Sequence, residues 1–230
     1  MLTKYKAVFF DVGGTLLRVH PSVGEVYTQH ARTYGFSGDA ADVDKQFRLQ
    51  WKAMGGIESL GCQSGMTIER KFWRDLVFSV FEHFGGLQDF ENYFEQIYDA
   101  FRKKDCWRVY EDVLQSGILE KLKQRGAVLG VVSNWDSRLP ETLDAMGLAR
   151  HFDFILASTV VGSAKPDQKI FEMALQQSGV RSEQACHIGD EPLTDIKGAR
   201  QAGVDAILID RTGRHADFSS PKVCSFMEMV

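Results

Sequence analysis

Cysteine is scarce and scattered in this chain, and its placement excludes more than its number does. Cys62, Cys106, Cys186 and Cys224 form no CxxC or CxxH pair and no crowded framework, so neither a zinc site nor a disulfide scaffold is written here. They read as free thiols of a reducing, cytoplasmic compartment. Charge of one sign is lacking too. Lys and Arg number 27 against 31 Asp and Glu, for a net charge of -4, and no basic run or stripe stands out. That excludes the electrostatic footprint of a nucleic-acid or anionic-membrane binder. No stretch approaches the ~20 consecutive apolar residues of a membrane helix. Met1 to Lys6 leads directly into a strand-like run, without the apolar region and cleavage site of a secretory signal. Repeats and low-complexity tracts are also absent.

What is present is a chain of 230 residues, 44% of them hydrophobic, enough for a full core and near the size at which one core splits. Ala7 to Phe10 is a continuous apolar run, which suits a strand buried on both faces of a parallel sheet. Similar runs return at Val128–Val132, Phe154–Ala157, Ala185–Ile188 and Ala206–Ile209. Between them the spacing turns helical over Val113–Gln124, Arg138–Met146, Asp167–Gln177 and Asp195–Ala202, several of these segments stopping at glycine. Strand and helix in regular alternation predict an α/β fold, a doubly wound parallel sheet of Rossmann-like type.

Residues 18–106 read differently. Amphipathic helical segments at Val23–Tyr34, Ala41–Met54, Thr67–Phe84 and Phe90–Lys103 follow one another with no credible strand between them. Their dense aromatics, Phe72, Trp73, Phe81, Tyr93, Phe94, Tyr98 and Phe101 among them, predict a packed helical core, with a few free to line a pocket. The expected division is therefore a core of residues 1–17 and 107–230 with a helical cap domain, 18–106, over the strand ends. From Arg211 onward, including Arg214, His215, Ser219, Ser220 and Pro221, a surface loop with a final strand or short helix is expected.

Ligands of an open parallel sheet bind beyond the carboxyl ends of its strands. The first strand is followed by Asp11-Val12-Gly13-Gly14-Thr15 and the second by Ser133-Asn134. The loop after the third carries Lys165-Pro166-Asp167, and the fourth leads to Gly189-Asp190-Glu191 with Asp195 beyond. Taken alone, Asp195 is a helix N-cap and Ser133 a turn residue. Together, these loops deliver an acid, a hydroxyl with an amide, an ammonium and further acids to one edge. Asp11 is the predicted centre of the chemistry.

This set resembles the haloacid dehalogenase superfamily along the whole chain, with a helical cap inserted after the first motif. Ser133 fits the second motif, Lys165-Pro166 the third, and Gly189-Asp190 with Asp195 the fourth. The family's first motif is Asp-x-Asp-x-Thr, whereas this sequence has Gly13 where the second acid stands. Ser133-Asn134-Trp135-Asp136 is similar to the branch that carries a non-acidic residue there. The resemblance implies a nucleophilic Asp11 that takes a phosphoryl group from a small phosphorylated metabolite. It implies Mg2+ held by Asp11, the Gly13 carbonyl and Asp190, with Asp195 behind them. Lys165 would neutralise charge, and Ser133, Asn134 and the turn amides of Gly13 and Gly14 would hold phosphate oxygens. An all-oxygen donor set suits Mg2+, and a carboxylate attacking a phosphoryl group needs such cations.

In phosphatases of this family the second acid of the first motif protonates the leaving group and later activates water, help worth ~10²–10⁴ in rate. Gly13 can do neither. One reading is a phosphatase with a replacement acid, for which His20, Glu25 and Asp136 are the candidates, or with a leaving group that departs unaided. A second has Asp11 attack carbon, as in the family's haloacid dehalogenases, which lack the second acid and need no metal. A third is a phosphate-binding or regulatory module without turnover. Substrate and oligomeric state are not written in the sequence.

Overall fold

The computed structural model describes residues 1–218 and 221–229; Ser219 and Ser220 of the expected C-terminal loop lie outside the described residues. In chain order the strands are β1 (Ala7–Phe10), β2 (Leu17–Val19), β3 (Trp107–Val109), β4 (Val128–Ser133), β5 (Phe154–Ala157), β6 (Ala185–Gly189), β7 (Asp205–Ile209) and β8 (Lys222–Val223). All but β2 and β3 form one parallel sheet in the order β5-β4-β1-β6-β7-β8. β1 lies between β4 and β6, with Phe10 registered against Val131 on one side and Ile188 on the other. Every residue of β1 is buried, as its unbroken apolar run requires of a strand covered on both faces.

The alternation along β1 separates two layers of core. Val8 and Phe10 pack with α5 (Glu111–Ser116), α6 (Ile118–Gln124) and α7 (Leu139–Ala145) through Val113, Leu119, Leu122, Leu139 and Leu143. Ala7 and Phe9 face the other way, against Ile170, Phe171 and Ala174 of α9 (Gln168–Ser178) and Ala199 of α10 (Gly198–Gln201). Helices on both faces make the sheet doubly wound, as expected.

Local differences from the expected elements have identifiable causes. The helix expected over Val113–Gln124 is two, because Gly117 adopts φ 58 between α5 and α6. Asp195 does not cap a helix. It lies inside a π-helical turn, Pro192–Lys197, that runs into α10. The carboxylate that does cap is Asp167, accepting from the Lys169 N–H ahead of α9. The C-terminal region contains both expected alternatives, strand β8 and a short 3-10 turn at Phe226–Glu228.

The helical segment comprises α1 (Val23–Ala31), α2 (Ala40–Met54), α3 (Met66–Glu82) and α4 (Phe90–Ala100). Tyr27, Phe81, Tyr93, Phe94 and Ile97 pack at its centre. A shorter helix, α8 (Ser158–Val161), follows β5 in the sheet-bearing part. The segment is entered and left through β2 and β3, which pair antiparallel with Leu17 opposite Val109. The sequence pattern indicates neither strand: β2, Leu17–Val19, straddles the expected boundary between residues 17 and 18, and β3 begins at Trp107, just past the expected return. None of the helices among the described residues is long and apolar enough to cross a membrane.

Candidate active site

Asp11 follows β1 directly, and its backbone N–H donates to Ile188 O of β6 at 2.9 Å, so the sheet ladder fixes its position. The chain then turns sharply: Leu16 and Leu17 donate back to Val12 O. Gly14 sits in this turn at φ 78, and a Cβ there would overlap the Asp190 carboxylate. Glycine is required at that position both by the backbone and by the neighbour. Gly13 differs. A Cβ added to it would meet only Trp135, at an ordinary 3.5 Å.

Asp11 Oδ1 accepts from Ser133 Oγ at 2.8 Å and from Lys165 Nζ at 2.7 Å. Among the described residues, nothing donates to Asp11 Oδ2. Lys165 also donates to Asp195 Oδ1 at 2.5 Å, and Asp195 is engaged further by His187 Nε2 at 3.0 Å and by the Glu191 N–H at 3.0 Å. Oxygen atoms of Asp11, Asp190 and Asp195 all lie within 4.8 Å of one another. Asp190 is held more loosely, with Thr15 Oγ1 at 3.4 Å and the largely exposed Arg214 at 3.3 Å.

Two buried carboxyl groups, Asp11 and Asp195, and the half-buried Asp190 thus lie around one buried ammonium. The electrostatic consequences follow from burial first and neighbours second. Burial pushes the Asp190 carboxyl up to about 8, reinforced by the charges of Asp11, Asp195 and Glu191. Burial raises Asp11 as well, against the pull of Lys165. Burial acts on Asp195 in the same sense, yet Lys165 and His187 outweigh it and hold that carboxyl well below the usual range. Lys165 keeps its proton up to about 12, because Asp11 and Asp195 overcome the cost of burying it. Burial lowers the His187 pKa, which leaves that ring neutral near pH 7. Near pH 7 the metal-free cluster therefore leaves Asp190 protonated, and a bound cation would displace that proton. Arg214 reaches the cluster only from solvent, where its charge is screened. Hard oxygen donors grouped in this way fit a divalent cation such as Mg2+, which Asp11 and Asp190 would hold with the Gly13 carbonyl.

Two expected phosphate donors are otherwise engaged. The Gly14 N–H donates to Leu17 O at 2.9 Å, so it closes the loop instead of facing a ligand. Asn134 straps the lysine loop: its Nδ2 donates to Lys165 O at 2.9 Å and its Oδ1 accepts from the Lys165 N–H at 2.8 Å. One amide hydrogen of Asn134 is left for a ligand.

These residues form the floor of a cavity of about 990 Å³ whose walls include Phe47, Trp51, Trp73, Phe101 and Trp135. His20, Glu25 and Asp136 do not line it. Asp136 is wholly buried, with its oxygens taken by Arg138 and by Trp73 Nε1 at 2.6 Å. Glu25 is exposed at the start of α1, where its N–H serves the Ser22 cap. The carboxyl that the helical segment does present to the cavity is Glu58. A second unanticipated residue is Arg211, which pairs with Asp112 and donates to Gly14 O and Thr15 O, each at 2.8 Å. It ties the loop after Asp11 to α5.

Residues 5–203 match the haloacid dehalogenase-like hydrolase family. A Mus musculus protein described as haloacid dehalogenase-like hydrolase domain-containing protein 3 is 35% identical over 203 residues, spanning 87% of this chain and 80% of that protein. The phosphoserine phosphatase of Thermus thermophilus is 35% identical over 163 residues, or 70% of this chain and 62% of that protein. The L-2-haloacid dehalogenase of Xanthobacter autotrophicus shares the fold, with a TM-score of 0.73 at 16% identity over 98% of this chain and 96% of that one. The chain belongs to the haloacid dehalogenase-like hydrolase family.

Proposed function

We propose that this hydrolase is a Mg2+-dependent phosphatase of a small phosphorylated metabolite, acting through an aspartyl phosphate on Asp11. The observation that carries the reading is the grouping at the strand ends: carboxyl oxygens of Asp11, Asp190 and Asp195 within 4.8 Å of one another, with the buried Lys165 ammonium bridging Asp11 and Asp195. A haloacid dehalogenase that attacks carbon has no use for a third carboxyl group there, whereas a divalent cation and a phosphoryl group together do. The likeness to the Thermus phosphoserine phosphatase supports the same class.

Asp11, the Gly13 carbonyl and Asp190 would hold a Mg2+ ion, which would supply positive charge to offset that of the phosphoryl group. The protein does the rest. Ser133 and Lys165 fix Asp11 through Oδ1. Attack on phosphorus then forms an O–P bond and breaks the bond to the leaving oxygen, which departs with its electron pair. Water next attacks phosphorus, releasing inorganic phosphate and the Asp11 carboxylate. Lys165, buried and charged, balances the phosphoryl oxygens throughout, and Asp195 holds Lys165 in place. In this reading residues 18–106 act as a cap that excludes bulk water from the floor of the cavity.

The test is hydrolysis of acetyl phosphate and p-nitrophenyl phosphate with and without Mg2+, in wild type and Asp11→Asn. Hydrolysis that needs Mg2+ and vanishes in Asp11→Asn supports the proposal. Undiminished activity in Asp11→Asn, or metal-independent halide release from 2-chloropropionate in place of phosphate release, overturns it.

A further inference from the structure

We infer that Glu58, delivered by the helical segment, is the general acid and base that Gly13 cannot be. The inference rests on the phosphatase reading above and assigns its missing proton carrier.

Few groups around the cavity are free to serve a leaving oxygen above Asp11. The donors on the cavity floor are committed: Lys165 to Asp11 and Asp195, and Ser133 to Asp11. Glu191 points its carboxylate toward the exposed Arg214, at 3.7 Å. Asp136 is locked between Arg138 and Trp73. Of the carboxyl groups within residues 18–106, only Glu58 lines the cavity, the same cavity that Asp11 and Lys165 line.

The local chain explains how Glu58 comes to be there. α2 ends at Gly55 with φ 75, and Gly56 follows at φ 63. The chain thereby reverses into the short 3-10 turn Ile57–Leu60. Ile57 is buried against Phe72 and Leu76 of α3, which anchors the turn. Glu58, next in sequence, is left half-buried over the cavity. Its carboxyl is raised from its ordinary value, chiefly by burial. Its own N–H and Lys165 oppose this rise, while Glu191 and Asp11 add to it. A shift in this direction moves a carboxyl toward the range in which one group serves as both acid and base.

The proton balance is complete. As the bond from phosphorus to the leaving oxygen breaks, that oxygen takes the Glu58 proton and departs as an alcohol. The Glu58 carboxylate then accepts a proton from the attacking water as the Asp11–phosphorus bond breaks, and both carboxyl groups return to their starting states. No outside reductant, oxidant or further reactant is needed.

The experiment compares wild type, Glu58→Gln, Gly13→Asp and the double variant on two phosphates, one with an alkyl leaving group and p-nitrophenyl phosphate. An alkoxide needs protonation; p-nitrophenolate leaves unaided. Glu58→Gln is expected to lose ~10²–10⁴ in kcat/KM on the alkyl ester, which reports formation of the aspartyl phosphate and release of the alcohol, and little in kcat/KM on p-nitrophenyl phosphate, while the hydrolysis of the aspartyl phosphate that both substrates share slows alike. Gly13→Asp, which the backbone and Trp135 accommodate, restores alkyl-ester turnover to the double variant. A structural role for Glu58 would depress kcat/KM on both substrates alike and would not be rescued, and that result overturns the inference. Equal turnover of the alkyl ester in Glu58→Gln and wild type overturns it too. Either result leaves Mg2+-dependent hydrolysis of p-nitrophenyl phosphate by wild type intact, so the phosphatase reading would stand. Absence of that hydrolysis in wild type removes both. Thermal melts of each variant establish that it is folded.

Discussion

Lys165 Nζ donates to Asp195 Oδ1 at 2.5 Å, with both side chains only 2% exposed. The same ammonium holds Asp11, so this buried pair sets the position and the charge of the nucleophile. Removing one partner of such a pair costs about 3–5 kcal/mol, because the other charge is left buried without compensation. Lys165→Met is therefore expected to lower unfolding stability by about that amount in metal-free urea denaturation near pH 7. It also abolishes hydrolysis. An unchanged midpoint would show that Lys165 does not carry the charge of the cluster.

Metal binding should depend on pH with a defined sign. Asp190, whose ordinary value is 3.8, is raised to about 8 in the metal-free protein. Between those values the folded state holds a proton that the unfolded state has released, so this group makes metal-free stability fall as pH rises through the window. Bound Mg2+ requires the carboxylate and displaces the proton. Mg2+ affinity, read by titration calorimetry, should rise from pH 6 to pH 8 and then flatten. Asp190→Asn should bind weakly and lose most of this slope.

Arg211 is expected to matter although it lies outside the motifs. Its guanidinium stacks 3.8 Å over Tyr110, pairs with Asp112, and donates to the carbonyls of Gly14 and Thr15. Arg211→Lys keeps the charge but loses the planar fork. The expected cost is about 1–3 kcal/mol of stability, with a fall in kcat as the loop after Asp11 loosens. Denaturation and steady-state kinetics on p-nitrophenyl phosphate check this together.

Trp73 of α3 joins the helical segment to the sheet-bearing part through its bond to the buried Asp136. Trp73→Phe keeps the ring but leaves that carboxylate with Arg138 alone. A loss of about 1.5–3 kcal/mol, the worth of a hydrogen bond to a charged group, is expected on urea denaturation. His20→Asn and Glu25→Gln, which lie away from the cavity, should leave kcat unchanged.

The parts legible in sequence were those set by short-range pattern. β1, β4, β6 and β7 announce themselves because each is buried along most of its length and so is mainly apolar, and β5, half of it buried, is apolar throughout. Once those strands are parallel, Asp11, Ser133, Lys165 and Asp190 must share an edge, and they do. Strands β2 and β3 were not legible. Each has three residues with an exposed arginine in the middle, and their pairing joins residues far apart in the chain. Glu58 was hidden for a related reason: it follows a pair of glycines in a turn whose place depends on how Ile57 packs on α3. The roles of Gly14 and Asn134 turned on hydrogen bonds to Leu17 and Lys165, which composition and spacing do not encode.

The most direct test of the account is chemical trapping at Asp11. Wild-type protein is incubated with acetyl phosphate and Mg2+, quenched in acid and digested, and the peptides are analysed by mass spectrometry. The account predicts one added phosphoryl group on the peptide containing Asp11, discharged by hydroxylamine and absent from Asp11→Asn. Rapid hydrolysis of acetyl phosphate with the label on another residue, or with undiminished turnover in Asp11→Asn, would contradict it.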